Sequence, residues 1–273
     1  MRTVSITSQW TAAARAIETE KLEPLIQDPL ARYLAEPDGF TFMKKYGGSS
    51  VQAFVAIRTK FLDDIIESAV NQGPIRQVVL VASGMDTRAY RLKWPDNAVL
   101  YEVDHADLHL EKQRRLNQLH LKLDVDRRIV NADLSEDWLP SLYTAGFNPH
   151  QPTLWIPEAL FFFLSKPQAQ HLLQTMAHAS PPGSLLALDL INEDLLHHPG
   201  TQLFLNALRT DNIPWLFGCN HPESFLLEHG WNVQLLVEPG EEPYESQDWP
   251  YPMFSREITQ TPRNWLIKAE RCD

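Results

Sequence analysis

The residues best suited to chemistry begin with a small-residue turn and an acid twenty positions later. The apolar run Val78–Ala82 is typical of a strand buried on both faces, and Ser83 and Gly84 end it. Asp104 ends a second run, Ala98–Val103. In α/β folds such a turn lets a ligand approach the backbone, while the carboxylate accepts hydrogen bonds from ribose hydroxyls. The pair predicts a nucleoside site, against the alternative that Asp104 only caps a helix or closes a turn.

The same turn has fewer glycines than a loop that binds a pyrophosphate. A dinucleotide-binding loop uses three glycines, so that the backbone approaches the phosphates and the helix packs closely. Here Ala82 stands at the first of these positions, and Asp86 lies near the start of the next helix. A carboxylate there repels a pyrophosphate but tolerates a ligand with a cationic centre. S-adenosylmethionine, with an adenosine, a sulfonium and no phosphate, is such a ligand.

Two further acids, Asp133 and Glu158, follow the next predicted strands, Arg127–Ala132 and Thr153–Pro157. Carboxylates at the carboxyl ends of parallel strands face the crevice where α/β proteins bind ligands. Asp133 could accept a hydrogen bond from the adenine amino group while Leu134 packs on the ring. The alternatives are an ordinary loop aspartate and a glutamate that stabilises the following turn through the helix dipole.

Two arginines are candidates for binding a carboxylate. Arg58 lies within Val51–Asn71, a predicted helix with apolar residues at helical spacing, and Arg15 lies within the earlier predicted helix Ser8–Glu20. A guanidinium can offer two parallel donors to the two oxygens of a carboxylate. The alternative for Arg58 is an arginine at the edge of the core whose charged end reaches solvent.

Other charged residues near these motifs receive different interpretations. We interpret Arg88 and Arg91 as structural residues that pair with acids at the edge of the sheet. His105 directly follows Asp104 and is a candidate for contact with the cofactor, against the alternative of a helix residue in solvent or at the core edge. The pair His197 and His198 lacks the cysteine or spaced acid partners of a zinc site, so we predict no metal site.

The elements that must position these residues alternate between strands and helices from residue 74 onward. This alternation predicts an α/β fold with a doubly wound, mostly parallel sheet. The predicted strands are Val78–Ala82, Ala98–Val103, Arg127–Ala132, Thr153–Pro157, Ser184–Ile191, Trp231–Val237 and Asn264–Ala269. Helices predicted before the sheet, at Ser8–Glu20, Pro29–Ala35 and Val51–Asn71, indicate a helical cap over the ligand site.

The chain resembles the leucine carboxyl methyltransferase family of class I, Rossmann-like O-methyltransferases, which use S-adenosylmethionine. The resemblance rests on Val-Ala-Ser-Gly-Met-Asp-Thr-Arg-Ala-Tyr-Arg-Leu, which starts at Val81, and on Tyr-Glu-Val-Asp-His, which starts at Tyr101. It extends over roughly Ala12 to Ala187 and then thins. The resemblance implies a seven-stranded sheet whose last strand inserts antiparallel.

The resemblance also implies a role for each candidate residue. Arg58 and Arg15 hold the methionine carboxylate of the cofactor, and Glu158 holds its amino end. The remaining contacts are Gly84 for the methionine portion, Asp104 for the ribose, and Asp133 with Leu134 for the adenine. Ala82 and His105 are further candidates for contact with the cofactor. Ala82 and Ala159 stand where the family commonly has glycine, so we expect a slightly less permissive loop.

Composition sets limits on the function. The 273 residues carry a formal net charge of −11, which argues against a general binder of nucleic acid or anionic membranes. Two cysteines make no disulfide framework, and no apolar run reaches transmembrane length. The start lacks the apolar core of a signal peptide, so we expect a cytoplasmic protein. We expect one methyltransferase domain, with a helical cap at 1–73, a cofactor-binding core at 74–192 and an acceptor-side insertion with the last strands at 193–273.

These features predict an O-methyltransferase that converts a carboxylate into a methyl ester. A carboxylate is already ionised at neutral pH, so it needs no strong general base, and Arg58 could orient it as a catalytic residue. The acceptor is a small metabolite, a polyketide-like acid or a protein C-terminus. Three alternatives stay open: methylation of a hydroxyl, an NAD-dependent oxidoreductase, and a cofactor-binding protein without catalysis.

Overall fold

One mixed sheet forms the centre of the protein, for which the computed structural model describes residues 3–272. Its strands are β1 (Gln77–Val81), β2 (Val99–Asp104), β3 (Asp126–Asn131), β4 (Thr153–Ile156), β5 (Leu185–Ile191), β6 (Trp231–Val237) and β7 (Asn264–Arg271). They lie in the order β3-β2-β1-β4-β5-β7-β6. The first five strands run parallel, and β7 lies antiparallel between β5 and β6. The predicted seven-stranded, mostly parallel sheet is confirmed, with its last strand antiparallel.

Helices flank the sheet and also precede it. They are α1 (Thr3–Thr19), α2 (Ala31–Phe42), α3 (Gly48–Glu67), α4 (Arg88–Arg91), α5 (Ala106–Leu116), α6 (Leu139–Thr144), α7 (Lys166–His178), α8 (Glu193–His197), α9 (Gln202–Thr210) and α10 (Pro222–Glu228). A single π-helical turn follows each of α2 and α3. Among the described residues, no helix combines the length and the apolar character needed to span a bilayer.

Several helix boundaries differ from those that the sequence predicts. The helix predicted at Pro29–Ala35 extends to Phe42, with a break at Glu36 (φ 52°, ψ 169°). The break precedes Pro37, whose ring disfavours helical geometry at the residue before it. The helix predicted at Val51–Asn71 begins earlier, at Gly48, and ends at Glu67, where a π-helical turn follows.

Strand β1 separates the two main parts of the core, because its successive side chains point to opposite faces of the sheet. Val79 and Val81 pack on one face, while Val78 and Leu80 pack on the other. The second face is covered by α3 through residues that include Ile57, which is fully buried. Burial of a side chain of this size contributes about 1.5–3 kcal/mol to stability. Since Ile57 is anchored in this way, the neighbouring Arg58 is held next to the sheet.

Candidate active site

A large cavity lies at the carboxyl ends of the parallel strands. Its volume is about 1230 Å³, and its lining includes four of the predicted residues, Gly84, Asp104, Asp133 and Glu158. Ligand pockets commonly measure about 300–1,000 Å³, so this cavity has room for more than one small ligand. Side chains of α1 and α3 also line it, so helices that precede the sheet help to enclose the site.

The turn after β1 is joined directly to the end of β2. The backbone N–H of Gly84 donates to Oδ2 of Asp104 at 2.8 Å, and the N–H of His105 donates to Oδ1 at 2.7 Å. A carboxylate has about four acceptor positions, so each oxygen of Asp104 retains capacity for a further donor such as a ribose hydroxyl. Gly84 has a φ of +50°, and a Cβ at this position would lie 2.9 Å from Cβ of Ser8 on α1. Glycine is therefore required both by its backbone angle and by the close approach of α1.

Both alanines that replace family glycines adopt left-handed backbone angles. Ala82 has a φ of 60° and Ala159 has a φ of 54°. The left-handed conformation costs a residue with a Cβ roughly 1–2 kcal/mol. The loops at the ends of β1 and β4 therefore keep a glycine-like path at a cost in stability.

Arg58 is held by two carboxylates inside the protein. Its Nε donates to Oε1 of Glu158 and its Nη1 donates to Oδ2 of Asp189, both at 2.9 Å. The residue is 2% exposed, so the structure does not support the alternative of a solvent-reaching arginine. Its Nη2 is buried and has no hydrogen-bond partner among the described residues. A buried donor without a partner is costly, which marks this nitrogen as a place for a ligand oxygen.

Arg88, like Arg58, is bound by carboxylates, and it contacts the other oxygen of Glu158. Its Nη1 donates to Oε2 of Glu158 at 2.7 Å and also contacts Asp86, while its Nε donates to Asp63 on α3 at 2.7 Å. Its Nη2 is likewise buried and without a partner in the described part of the chain. Arg88 therefore pairs with acids, as a structural role predicts, and it also lines the cavity. Arg91 pairs with Asp63 and is absent from the cavity lining.

Glu158 is surrounded by positive charge. Burial alone would raise the pKa of its carboxyl, but the charges of Arg88, Arg58 and Arg15 outweigh burial and hold that pKa far below its usual range. Glu158 is therefore ionised at neutral pH and joins two guanidinium groups through its two oxygens. A carboxylate in this position can also accept a hydrogen bond from an ammonium group.

Asp189 is a site residue that the sequence did not reveal to us. It lies on β5, is fully buried, and accepts the backbone N–H of Ala159 at 2.7 Å through Oδ1. Its other oxygen holds Arg58. The signal was present in the sequence, because an aspartate within the apolar run Leu185–Ile191 is a buried charge that requires a partner.

The remaining predicted residues also line the cavity. Arg15 donates from Nε to Asp28 at 2.9 Å and from Nη2 to the carbonyl of Met85 at 2.6 Å, which places α1 against the turn after β1. Asp133 is exposed, and its Oδ1 accepts from the backbone N–H and the hydroxyl of Ser135, at 3.0 and 2.6 Å. Leu134 packs partly buried against the core.

The residues present fit S-adenosylmethionine. The cofactor carries a carboxylate, an ammonium and two ribose hydroxyls, and the cavity offers unpaired arginine nitrogens, the ionised Glu158 and the carboxylate of Asp104 for these groups. Two strand ends and two helices therefore supply complementary partners for different parts of one ligand. Within residues 3–272, no three His, Cys, Asp or Glu side chains come together as a set of metal ligands.

Solved structures share this architecture at low sequence identity. One from Thermobifida fusca, provisionally described as a methyltransferase, has a TM-score of 0.65 and 14% identity, with 97% of this chain and 94% of that chain covered. Magnesium protoporphyrin IX methyltransferase from Synechocystis, solved with bound S-adenosylhomocysteine, has a TM-score of 0.52 and 13% identity over 86% of this chain and 95% of its own. These likenesses show the fold, which is that of the class I methyltransferases.

Sequence relatives define the family more closely. The family model of the leucine carboxyl methyltransferases matches residues 8–177. A Mycolicibacterium vanbaalenii protein, provisionally named an S-adenosyl-L-methionine-dependent methyltransferase, is 32% identical over 90% of this chain and 92% of its own length. A similarly named Mycobacterium marinum protein is 37% identical over 69% of this chain, which spans 64% of that relative. The chain belongs to the leucine carboxyl methyltransferase family.

Proposed function

We propose that the protein is an S-adenosylmethionine-dependent O-methyltransferase that methylates a carboxylate. The observation that carries this proposal is the pair of buried Nη2 atoms, one on Arg58 and one on Arg88, that have no partner among the described residues. The reaction brings two carboxylates together, one on the methionine part of the cofactor and one on the acceptor. Two unpaired guanidinium nitrogens beside one cavity match this requirement.

We assign the cofactor contacts as the family resemblance implies. Arg58 and Arg15 bind the methionine carboxylate, and Glu158 accepts from the ammonium group. Gly84 and Ala82 form the turn along the methionine portion. Asp104 accepts from the ribose hydroxyls, with His105 beside it, and Asp133 and Leu134 border the adenine. Each of these residues lines the cavity.

The acceptor contact falls to Arg88, whose Nη2 can bind one oxygen of a carboxylate and leave the other oxygen to react. When bound, the cofactor supplies an electrophilic methyl group on its sulfonium. Transfer forms a carbon–oxygen bond and breaks the carbon–sulfur bond, whose electron pair stays on sulfur. No proton leaves, because a carboxylate is already ionised at neutral pH. Arg58 and Arg88 contribute alignment, which is worth on the order of 7–11 kcal/mol in favourable cases.

The three parts of the chain divide this work within one domain. Residues 1–73 supply the helical cap, residues 74–192 supply the cofactor site, and residues 193–273 supply much of the acceptor side. Phe204, Trp215 and Trp249 line the cavity from this last part, which lies beyond the segment matched by the family model. We therefore assign selection of the acceptor mainly to residues 193–273.

Two measurements test the proposal. Calorimetry should show binding of S-adenosylhomocysteine and no binding of NAD. Incubation with methyl-labelled S-adenosylmethionine and a panel of carboxylic acids and phenols should yield label in a base-labile form, since methyl esters release methanol in alkali whereas aryl ethers do not. Base-stable label in a phenol would instead identify a hydroxyl methyltransferase.

A matched pair of variants separates Arg88 from its neighbour. Arg88→Lys should raise the KM for the acid more than the KM for the cofactor. The guanidinium binds Asp63, Asp86 and Glu158 and still has one nitrogen left for the acceptor, whereas a lysine ammonium cannot make all of these contacts at once. Arg91→Lys is the control, since Arg91 is also buried and also bound to Asp63 but is absent from the cavity lining. Equal effects from the two substitutions would remove Arg88 from the acceptor site.

A further inference from the structure

A continuous row of aromatic rings forms one side of the cavity. We call it the first aromatic wall: Tyr46, Trp10, Phe204, Trp215, Phe162 and Phe163. Neighbouring ring centroids along this row are 5.5, 6.4, 5.1, 4.6 and 5.6 Å apart. The rings come from α1, the π-turn after α2, α9, the loop that follows α9 and the turn after β4. Five separate segments therefore place aromatic residues side by side along the cavity.

A second row of rings also borders the cavity. This second aromatic wall consists of Phe54 on α3 with Trp249 and Tyr251 from the loop between β6 and β7. Its successive ring centroids are 6.5 and 5.2 Å apart. Aromatic rings prefer offset-stacked or edge-to-face contacts with other rings, so walls of this composition favour a flat aromatic ligand over a puckered one.

Two polar atoms on the first aromatic wall are buried without hydrogen-bond partners. These are Oη of Tyr46 and Nε1 of Trp215, judged against the part of the chain that the structure describes. Tyr46 is 6% exposed, so water does not readily satisfy its hydroxyl. Buried donors of this kind are nearly always paired in native proteins. Both residues line the cavity.

The charged pair on the acceptor side is already engaged within the protein. Arg263 and Glu238 line the cavity, but they bind each other, and Arg263 also donates to the carbonyls of Phe254 and Ser255. A peptide brings one N–H and one C=O per residue, and each of these costs free energy when it is buried unpaired. A rigid apolar ring system carries no such cost.

We infer that the acceptor is a planar aromatic carboxylic acid of small-molecule size, with the carboxylate at the arginine end and the ring system between the aromatic walls. This inference rests on the proposed carboxyl methylation and names its substrate class. Phe204, Trp215 and Trp249 lie in the part of the chain where the family resemblance is weak. The inference assigns all three to contact with the acceptor ring.

The test compares acids that share a carbon skeleton but differ in shape. Protein saturated with S-adenosylhomocysteine is titrated by calorimetry with naphthoate, with decahydronaphthoate and with a short peptide that ends in leucine. Naphthoate should bind roughly tenfold more tightly than its saturated counterpart, since individual aromatic contacts are worth about 0.5–1.5 kcal/mol, or about two- to thirteen-fold. The same order should appear in kcat/KM when labelled S-adenosylmethionine replaces the product.

Variants assign the preference to the wall. Trp215→Leu and, separately, Phe204→Leu should reduce the preference for naphthoate to about twofold while the affinity for S-adenosylhomocysteine stays unchanged. Tyr33→Leu is the control, because Tyr33 is 57% exposed on α2 and is absent from the cavity lining. Melting curves confirm that each variant is folded, and two independent wall positions keep the test valid if one variant fails to fold.

The possible outcomes are distinct. Equal use of decahydronaphthoate, or better methylation of the peptide, overturns the aromatic acceptor while leaving carboxyl methylation in place. A protein that fails to bind S-adenosylhomocysteine, or that methylates phenols and no acid, overturns the proposed function and this inference together. Preference for the flat acid that is lost in both wall variants supports the inference.

Discussion

Arg58 and Asp189 are 131 positions apart in the chain, yet Nη1 of the arginine donates to Oδ2 of the aspartate at 2.9 Å. The other oxygen of Asp189 accepts the N–H of Ala159, the residue after Glu158. Asp189 is absent from the cavity lining, so it acts on ligands only through these neighbours. One buried carboxylate therefore sets the positions of a helix arginine and of the loop that carries Glu158.

Replacement of Asp189 by Asn tests this positioning role. The amide oxygen can still accept from Ala159, but its NH₂ group faces Arg58 and removes a charged hydrogen bond worth about 1.5–3 kcal/mol. We expect the affinity for S-adenosylhomocysteine to fall by roughly 10- to 100-fold in calorimetry. Glu102→Gln is a matched control, since Glu102 is an equally buried acid outside the cavity lining. Similar affinity losses in both variants would mean that general destabilisation, and not positioning, is the cause.

Arg58→Lys should impair cofactor use although the charge is retained. The present contacts need Nε for Glu158 and Nη1 for Asp189, which leaves Nη2 for a ligand. An ammonium on a flexible stem cannot reproduce three fixed directions. We expect a rise in the KM for S-adenosylmethionine of roughly tenfold or more in steady-state kinetics, the equivalent of one charged hydrogen bond. Constants close to those of the wild type in a folded variant would assign Arg58 a packing role only.

Glycine at position 82 or 159 should stabilise the protein. The left-handed angle costs an alanine roughly 1–2 kcal/mol, whereas glycine costs roughly 0.5–1 kcal/mol through the greater freedom of the unfolded chain. We expect each of Ala82→Gly and Ala159→Gly to raise the free energy of unfolding by about 0.5–1 kcal/mol in urea titrations. Ala145→Gly is the control and should destabilise, because Ala145 has an ordinary φ of −75°. A loss of stability at 82 and 159 that matches the control would show that neither backbone is strained.

The buried acid Glu102 should govern part of the stability in acid. Burial raises its pKa, but Lys112 and Arg127 outweigh that effect and lower the pKa to about 2. Because the pKa is lowered in the folded state, ionised Glu102 stabilises the fold at pH values above its ordinary pKa near 4.5. This contribution to the free energy of unfolding disappears as the pH falls towards 2. Its size is on the order of 3 kcal/mol. The difference in unfolding free energy between wild type and Glu102→Gln should therefore shrink between pH 5 and pH 2, and parallel profiles would contradict this assignment.

The fold and the strand-end residues that line the cavity were accessible from sequence because their signals are local. A buried apolar strand, a small-residue turn and an acid at the next strand end lie within the segment from Val78 to Asp104. Asp104 was recognisable from this spacing, and the structure places it against Gly84. Such short-range patterns can be recognised in a sequence because the geometry of a strand–helix–strand unit fixes the number of residues between the turn and the acid.

The charge network was less accessible because its partners are distant in sequence. Arg88 binds Glu158 across 70 positions, and nothing near Arg88 indicates that it faces a cavity. Its other partners, Asp86 and Asp63, lie 2 and 25 positions away. The aromatic walls are harder still, since their rings come from segments joined only by the tertiary fold. Aromatic residues in a sequence are more often core than ligand contacts, so their pattern alone does not identify a pocket.

The aromatic walls also give the protein an internal optical reporter. Four of the eight tryptophans, Trp10, Trp138, Trp215 and Trp249, line the cavity. Indole emission responds to the polarity and quenching of its surroundings, so an occupant of the cavity changes the light emitted by half of the fluorophores at once. Trp94, Trp155, Trp231 and Trp265 lie outside the lining and supply a constant background. Ligand binding can thus be followed by tryptophan fluorescence without any label. Replacing the tryptophan of one wall at a time shows which wall the bound ligand contacts.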